Sequence, residues 1–398
     1  MKAIEEKLLT PVAEECDVLV VGGGFAGISS ALSAAREGKS VILAERLFML
    51  GGLATSGLIA IYLPLCDGYG RQVSFGIAEE LLRLSIALHN DGKRGVRTWI
   101  DGVGERNEKT DRFMVNFNPQ LFAIQAEQLL IENGVKILYG VSLTAASAED
   151  GKITSAIMEG KSGRYAIRAG SYVDCSGDCD LARHAGAPTA TFAQGNILAA
   201  WYYSFGQDGF NLHQLGVSDT PDEEKRAGAA GAEMLINRRF AGLEDAEISD
   251  FVVSSHSQVL NDFKKRKATD GSYEPTTIAT MPQLRMTRRI DGEYTLTTSE
   301  MHKRFEDSVG LVSDWKKRGP VYEVPFRTLY SSKVKNLICA GRVTSVDDAM
   351  WDIMRVIPCC AVTGEAAGLA AAMTDDFSTL DVSLLQKKLA ERGIPLHE

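Results

Sequence analysis

Between Cys16 and Arg46 the chain reads CDVLVVGGGFAGISSALSAAREGKSVILAER, and this stretch limits the rest more than any other. The run Asp17 to Val21 is short and β-branched, which predicts a strand. Gly22, Gly24 and Gly27 follow at GxGxxG spacing and open a small-residue helix expected from about Ala26 to Glu37. A second apolar run, Val41 to Ala44, stops at Glu45. Each residue type has a physical task here. Gly22 makes the tight turn, Gly24 lets the backbone approach a pyrophosphate, Gly27 allows close helix-to-strand packing, and Glu45 accepts hydrogen bonds from a ribose diol. The phosphates would sit where the helix begins, at Phe25 and Ala26, because unpaired N–H groups and the helix dipole favour an anion there. Arg46, directly after the acid, joins the same set. This is the grammar of a dinucleotide site; whether the ligand is FAD or NAD must come from elsewhere in the chain. The bland alternative is a βαβ unit whose glycine turn holds nothing.

The chain has 398 residues, enough for about two or three structural domains. A net charge of -9 argues against a nucleic-acid surface, which needs a basic stripe. The start, MKAIEEKLLTPVAEE, has no long apolar run and is not read as a secretory signal. The run GEAAGLAAAM is too short to span a membrane. The seven cysteines are an odd set with no CxxC, so a reduced, cytoplasmic protein is expected.

Beyond Glu45, Gly51 and Gly52 followed by Thr55 offer close backbone approach and a hydroxyl, either for a second phosphate or flavin contact or as a surface turn. Residues 94–116 are polar and glycine-punctuated and are expected to form turns and short strands of a cap. Asn118 reads as an N-cap with Pro119 in the first turn of a helix that runs to about Glu132, and Val135 to Tyr139 as a strand extending the first sheet. From Val141 to Val173 the pattern is a β-meander ending in SYVDCSGDCDLA, whose Ser176, Gly177 and Asp178 form a small-residue turn at the end of a strand. The stretch from about Thr191 to Arg318 loses this grammar; it holds Trp201, Tyr202 and Tyr203, a charged segment from Asp219 to Arg226 and a helix from about Ala246 to Lys267. Then strand, turn and helix return at Asn336 to Ala340, Gly341, and Pro358 to Met373. The expected fold is α/β: a Rossmann-like domain with a β-meander insertion, built from residues 1–60, 117–190 and 325–398, plus a mixed α+β substrate or cap domain from 61–116 and 191–324.

Taken together, VVGGGFAG with Glu45, LGGLATSG, VDCSGDCDLA, QLRMTRRIDGEYTLT, and LICAGR with RVIPCCAVTGEAAG resemble the FAD-dependent oxidoreductases of the glutathione reductase-like superfamily. More narrowly they resemble its FAD-dependent dehydrogenase branch with a C-terminal AGR motif. The resemblance implies FAD as cofactor, with Gly22, Gly24, Gly27 and Glu45 on the ADP half, Gly52 and Thr55 at the pyrophosphate or flavin, and Val141 touching adenine through its backbone. It further implies Gly341, Arg342, Arg355 and the N–H groups near Cys360 and Ala361 at the ribityl chain and pyrimidine edge. Many members carry an Asp where this chain has Arg342, so Asp178 or Asp347 is left to partner the ribityl hydroxyls.

The flavin would carry the hydride chemistry, leaving the protein to position a small-molecule substrate and manage a proton. Arg285, Arg288 and Arg289 are candidates to clamp a carboxylate or developing oxyanion, or else pair with acids that fix the cap. Asp352 could accept a proton or simply pair with Arg355. The cysteines in CSGDC and the adjacent Cys359 and Cys360 read as small buried residues, with no metal expected. The function implied is hydride transfer between flavin and a hydroxylated or unsaturated small organic compound, anionic ones included. The alternatives are a structural or consumed dinucleotide, as in thiazole-forming relatives of the fold, or the flavin subunit of an electron-transfer complex. A homo-oligomer or an electron-acceptor protein partner is open.

Overall fold

In a computed structural model of the chain, residues 4–88, 115–216 and 234–398 are described. The cap segment expected at 94–116 falls almost wholly outside them, as does the charged segment from Asp219 to Arg226.

Strand β1 (Val12–Val21) leads through the glycine turn into helix α1 (Phe25–Arg36) and on to β2 (Val41–Glu45). β1 begins five residues before the expected Asp17. Its first half is polar but gains a partner in a later strand, with Val12 opposite Ala166 and Cys16 opposite Ala169. Short strands β3 (Ile61–Tyr62) and β4 (Val115–Asn116) pair with each other and flank helix α2 (Ile77–Ala87). Helix α3 (Pro119–Glu132) is capped as expected, the Asn118 side chain accepting from the Leu121 N–H at 3.0 Å. β5 (Lys136–Tyr139) follows, then the meander β6 (Ser142–Glu149), β7 (Lys152–Gly160) and β8 (Gly163–Asp174).

β8 is the pivot of the sheet. Its first half pairs antiparallel with β7, while its second half runs parallel to β1 and, on its other edge, to a strand from far along the chain. That strand is reached after α4 (Asp180–His184), β9 (Thr189–Thr191), β10 (Ala200–Gly206), β11 (Gly209–Leu215), α5 (Asp245–Thr269), β12 (Glu274–Ile278), β13 (Arg288–Ile290), β14 (Ser308–Ser313) and β15 (Val321–Pro325). It is β16 (Leu337–Cys339), and it sets Cys339 beside Asp174. The parallel order is therefore β5-β2-β1-β8-β16, all strands delivering their carboxyl ends to one edge. Residues Val18–Val21 and Val41–Ala44 are buried on both faces, as continuous apolar runs in a parallel sheet must be.

Three helices close the chain: α6 (Asp348–Met354), α7 (Ile357–Met373) and α8 (Val382–Glu391). α7 lies against α1 with the backbones nearly touching. A Cβ on Gly364 would come 2.4 Å from the Ala26 carbonyl, and one on Gly368 2.1 Å from that of Ser30. Ser30 and Ser33 donate across to the carbonyls of Gly364 and Glu365 at 2.9 and 2.8 Å. This crossing sets the start of α1 beside Gly364, so that α7, which begins at Ile357, reaches beyond it at the carboxyl edge of the sheet. A separate three-stranded sheet, β11-β10-β12, is backed by α5. No single helix among the described residues is long and apolar enough to cross a membrane.

Candidate functional site

At the carboxyl edge of the parallel strands lies a cleft with about 1120 Å³ of empty space, part of it open to solvent. It is built from the expected glycine turn upward. Gly22 holds φ at 100°, and a Cβ there would sit 2.3 Å from the Cys175 carbonyl, so only glycine makes this turn. A Cβ on Gly24 would meet nothing within 4 Å, which leaves its backbone open to the cleft for a bulky group. Gly27 does not line the cleft; its would-be Cβ lies 1.8 Å from the Gly22 carbonyl, the close packing its position predicts. The N–H groups of Phe25 and Ala26, left over by the helical ladder of α1, belong to cleft-lining residues. Gly52 lines the cleft directly beside Gly24, carried there by the Gly51 N–H bond to the Gly23 carbonyl at 2.8 Å.

One end of the cleft carries Glu45, Arg46 and Val141, with Ser142 and Leu143 beside them. The Glu45 carboxylate is 7% exposed and held in place by the N–H groups of Gly23 at 2.6 Å and Leu47 at 2.8 Å. Each oxygen keeps a further lone pair for a diol. The Val141 N–H bonds the Glu45 carbonyl at 3.3 Å, which leaves its carbonyl as the backbone group able to meet a base.

The other end is made by Gly341, Arg342, Arg355, Ile357, Cys360 and Met281. Gly341, with φ at 82°, packs this late turn onto Ala26. Ser176 and Gly177 line the middle; a Cβ on Gly177 would collide with the Arg342 guanidinium at 2.6 Å. At the start of α7 the N–H groups left over by the ladder are those of Ile357 and Cys359. Pro358 has none, and the Cys360 N–H already donates to the Val356 carbonyl at 2.9 Å. The expectation of available N–H groups at Cys360 and Ala361 is corrected by one turn, and Ala361 is buried away from the cleft.

Several expected contacts have other partners. The Thr55 hydroxyl donates to the Leu50 carbonyl at 2.5 Å and is fully buried, so it closes its own loop rather than facing the cleft. Asp178 accepts from Thr287 at 2.7 Å and Arg342 at 3.1 Å and does not line the cleft. Asp347 caps α6 through the Met350 N–H at 2.7 Å. Arg288 reaches the Asp178 carbonyl at 2.9 Å and the Asp180 carboxylate at 2.8 Å, which makes it a strut between β13 and the turn after β8. Arg289 lies over the Trp351 ring at 5.8 Å, also outside the cleft, and burial pulls its pKa below the ordinary value.

Asp352 is fully buried, bonded to Arg355 and 2.7 Å from the Lys316 ammonium. Burial alone would raise its carboxyl; Arg355 and Lys316 outweigh that and hold it below the usual range. A carboxylate so held is a poor proton acceptor. Its visible work is to fix Arg355, which does reach the cleft. Sequence reasoning missed Asp180, Met281 and Ile357 as lining residues. Asp180 lies two residues beyond the turn already singled out, whereas nothing local marks Met281.

Cys175, buried, and Cys360, half-buried, both line the cleft, and desolvation pushes the Cys360 thiol up to about 12. Asp174, Cys179 and Cys339 come within 4.8 Å of one another. Burial raises both thiols, and Asp174 already accepts from Ser176 and the Ala182 N–H, so the cluster reads as packing at the end of β8.

Comparisons with known proteins meet this geometry. A family model described as FAD dependent oxidoreductase matches residues 17–200 and 207–389. A thioredoxin reductase from Ureaplasma parvum is 29% identical over 75 residues, 19% of this chain and 24% of that protein; the chain thus aligns with about a quarter of that relative's length. Among solved structures, a geranylgeranyl bacteriochlorophyll reductase-like protein from Thermoplasma acidophilum is 14% identical with a TM-score of 0.48, covering 95% of this chain and 84% of its own. A 3-ketosteroid-Δ4-(5α)-dehydrogenase from Rhodococcus jostii RHA1 is 13% identical with a TM-score of 0.40, covering 92% and 98%.

Proposed function

On the premise that this chain belongs to the FAD dependent oxidoreductase family, and so is a flavoenzyme, we propose that it moves a hydride between FAD and a hydroxylated or unsaturated small organic substrate. The residues of the cleft fit the cofactor: an open Gly24, a fixed Glu45 and two helices, locked by a backbone crossing, whose first residues both line the cleft. When bound, FAD supplies the hydride acceptor or donor. The protein's part is binding and electrostatics. Phe25 and Ala26 would meet the pyrophosphate, Glu45 the ribose, and Gly341, Arg342, Arg355 and Ile357 the far end.

The observation that carries the proposal is that far end. The Arg355 guanidinium and the leftover N–H group of Ile357 belong to residues that line one side of the cleft. They favour negative charge developing there and cost no reorganisation, because Asp352 already holds Arg355 in place. This supports the narrower dehydrogenase branch suggested by the AGR turn at Ala340, Gly341 and Arg342. It also supports an anionic substrate, and the separate β11-β10-β12 sheet supports a division into a cofactor domain and a substrate domain. The test is an anaerobic screen of hydroxylated and unsaturated metabolites against FAD-loaded protein, following flavin absorbance. Bleaching by one compound class is expected. Protein that binds FAD and is reduced by none of them would overturn the proposal.

A further inference from the structure

The ion pair behind Arg355 continues into a second element. The loop from β14 to β15 reads Asp314, Trp315, Lys316, Lys317 and Arg318, and two of these residues clip it to α6. The Trp315 indole N–H donates to the Asp352 carbonyl at 3.0 Å, and the Lys316 ammonium lies 2.7 Å from the Asp352 carboxylate. The loop is also held from its own side. The Asp314 carboxylate, itself buried, accepts the N–H groups of Lys316 and Lys317 at 2.7 and 3.0 Å. The Asp314 N–H donates to the Pro320 carbonyl at 3.1 Å, and the Gly319 N–H to the Asp67 carbonyl at 2.8 Å. Lysine is normally a surface residue, yet this side chain is only 15% exposed.

The two oxygens of Asp352 are divided between two cations. One receives the Arg355 guanidinium, through Nε at 3.0 Å and also through Nη2, and the other faces Lys316. Alone with Arg355, the carboxylate would form a neutral pair and cancel much of the guanidinium's field. With Lys316 on its second oxygen, the same single anion answers two positive charges. Arg355 lines the cleft, whereas Asp352 and Lys316 do not, so the arginine presents at the cleft the charge that the lysine preserves. Solvent screens this little, because the Asp352 and Arg355 side chains are almost wholly buried.

We propose that Lys316 is a positioning residue for the flavin reaction: acting through Asp352, it keeps the Arg355 charge uncancelled at the cleft and so raises the reduction potential of bound FAD. The inference rests on the flavin oxidoreductase reading above, in which Arg355 meets the far end of the cofactor, and adds what sets the driving force there. Two-electron reduction with uptake of one proton leaves a negative charge on the flavin, and a fixed positive charge near the ring favours that form over the oxidised one. Lys316 touches neither cofactor nor substrate in this arrangement; its effect is carried by the carboxylate between it and Arg355.

The test is the midpoint potential of FAD bound to the full-length protein, measured by anaerobic equilibration with a reference dye. Lys316→Met makes the cluster more negative by one charge and should weaken reduced relative to oxidised FAD about tenfold, a fall of about 30 mV for the two-electron couple. Lys316→Arg keeps the charge and should keep the potential of the parent. Asp352→Asn makes the cluster more positive by one charge and should shift the potential upward by a similar amount. The double variant, Lys316→Met with Asp352→Asn, has the parent's charge count and should return close to the parent's potential, a compensation that a merely structural lysine would not produce. Equal potentials in the parent and Lys316→Met overturn the proposal, and so do shifts of the same sign in Lys316→Met and Asp352→Asn. If Lys316→Met does not fold, Asp352→Asn decides, and a potential that fails to rise overturns the proposal. A parent protein that takes up no FAD overturns the flavin reading itself; FAD bound at one potential in all variants overturns only this inference.

Discussion

Replacing Asp352 with Asn separates two roles that the sequence alone left open for this residue. The carboxylate is fully buried between Arg355 and Lys316, and the substitution removes the one anion from between two cations while keeping the side chain's shape. Breaking a buried ion pair from one side costs about 3–5 kcal/mol, because the remaining charge is left uncompensated. The same geometry sets the pH dependence. The folded carboxyl lies below its unfolded value of about 3.9, so the stabilisation is present above that pH and is lost as pH falls through the folded value. Urea unfolding of FAD-saturated protein should therefore show Asp352→Asn less stable by about 3 kcal/mol between pH 5 and 8, with the gap closing below about pH 4. Since Asp352 is ionised throughout pH 5–8, the variant should not delete a limb from the pH profile of flavin reduction. The reasoning is refuted if Asp352→Asn unfolds like the parent while flavin reduction slows by about a hundredfold or more, the range a lost general base produces.

Gly368→Ala places a Cβ 2.1 Å from the Ser30 carbonyl, so α1 and α7 must separate; a loss of about 1–3 kcal/mol in thermal or urea unfolding and weaker FAD binding are expected together. Thr55→Val removes the bond to Leu50 and should cost about 1 kcal/mol of stability, leaving the spectrum of bound FAD unchanged. Arg288→Ala should destabilise by about 2 kcal/mol and loosen FAD, because its partner Asp180 lines the cleft; a slowed flavin reduction with full FAD occupancy would instead restore Arg288 to the substrate. The buried Cys175 thiol should react with a thiol reagent at pH 8 only after denaturation, while Cys360, half-buried at the cleft with its thiol shifted upward, should react slowly in the native protein, as quantified by peptide mapping.

What could be read from the sequence depends on how far apart the partners lie. The turn at Gly22 to Gly27 and the acid at Glu45 are local, and the periodicity around them places strand, helix and strand within one or two residues, apart from the early start of β1. The pairing of Asp352 with Arg355 spans three residues and was visible as an alternative. Arg288 looked the same as Arg355 in sequence, yet its fate is set by Asp180, 108 residues away. Asp178 likewise was claimed by Thr287 and Arg342 rather than by a ligand. Composition shows that the helix through Gly364 and Gly368 is made of small residues, but not that Ala26 and Ser30 are what it must approach. Burial decides the remaining cases: a hydroxyl such as Thr55 beside a glycine turn serves a ligand only if its own loop leaves it unbonded.

The late segment returns to the early one for a reason that geometry makes plain. α6 and α7 meet at an 88° bend, with Val356 extended between them. Arg355 stands at that corner, at the C-terminus of α6, where a cation is favoured, and one residue ahead of the N-cap of α7. The bend therefore brings a guanidinium and the leftover N–H group of Ile357 to the same end of the cleft, while α1 brings its own N-terminus to the middle. Neither helix could hold these groups in register alone. The contacts of Gly364 and Gly368 with Ala26 and Ser30 lock the two helices together through backbone, with no long side chain to yield. The spacing between the pyrophosphate-facing and flavin-facing donors is thus a property of the helix crossing. It follows that a change at the crossing, far from any reacting atom, should disturb both ends of the cleft at once, whereas a change at Glu45 or Arg355 should disturb one.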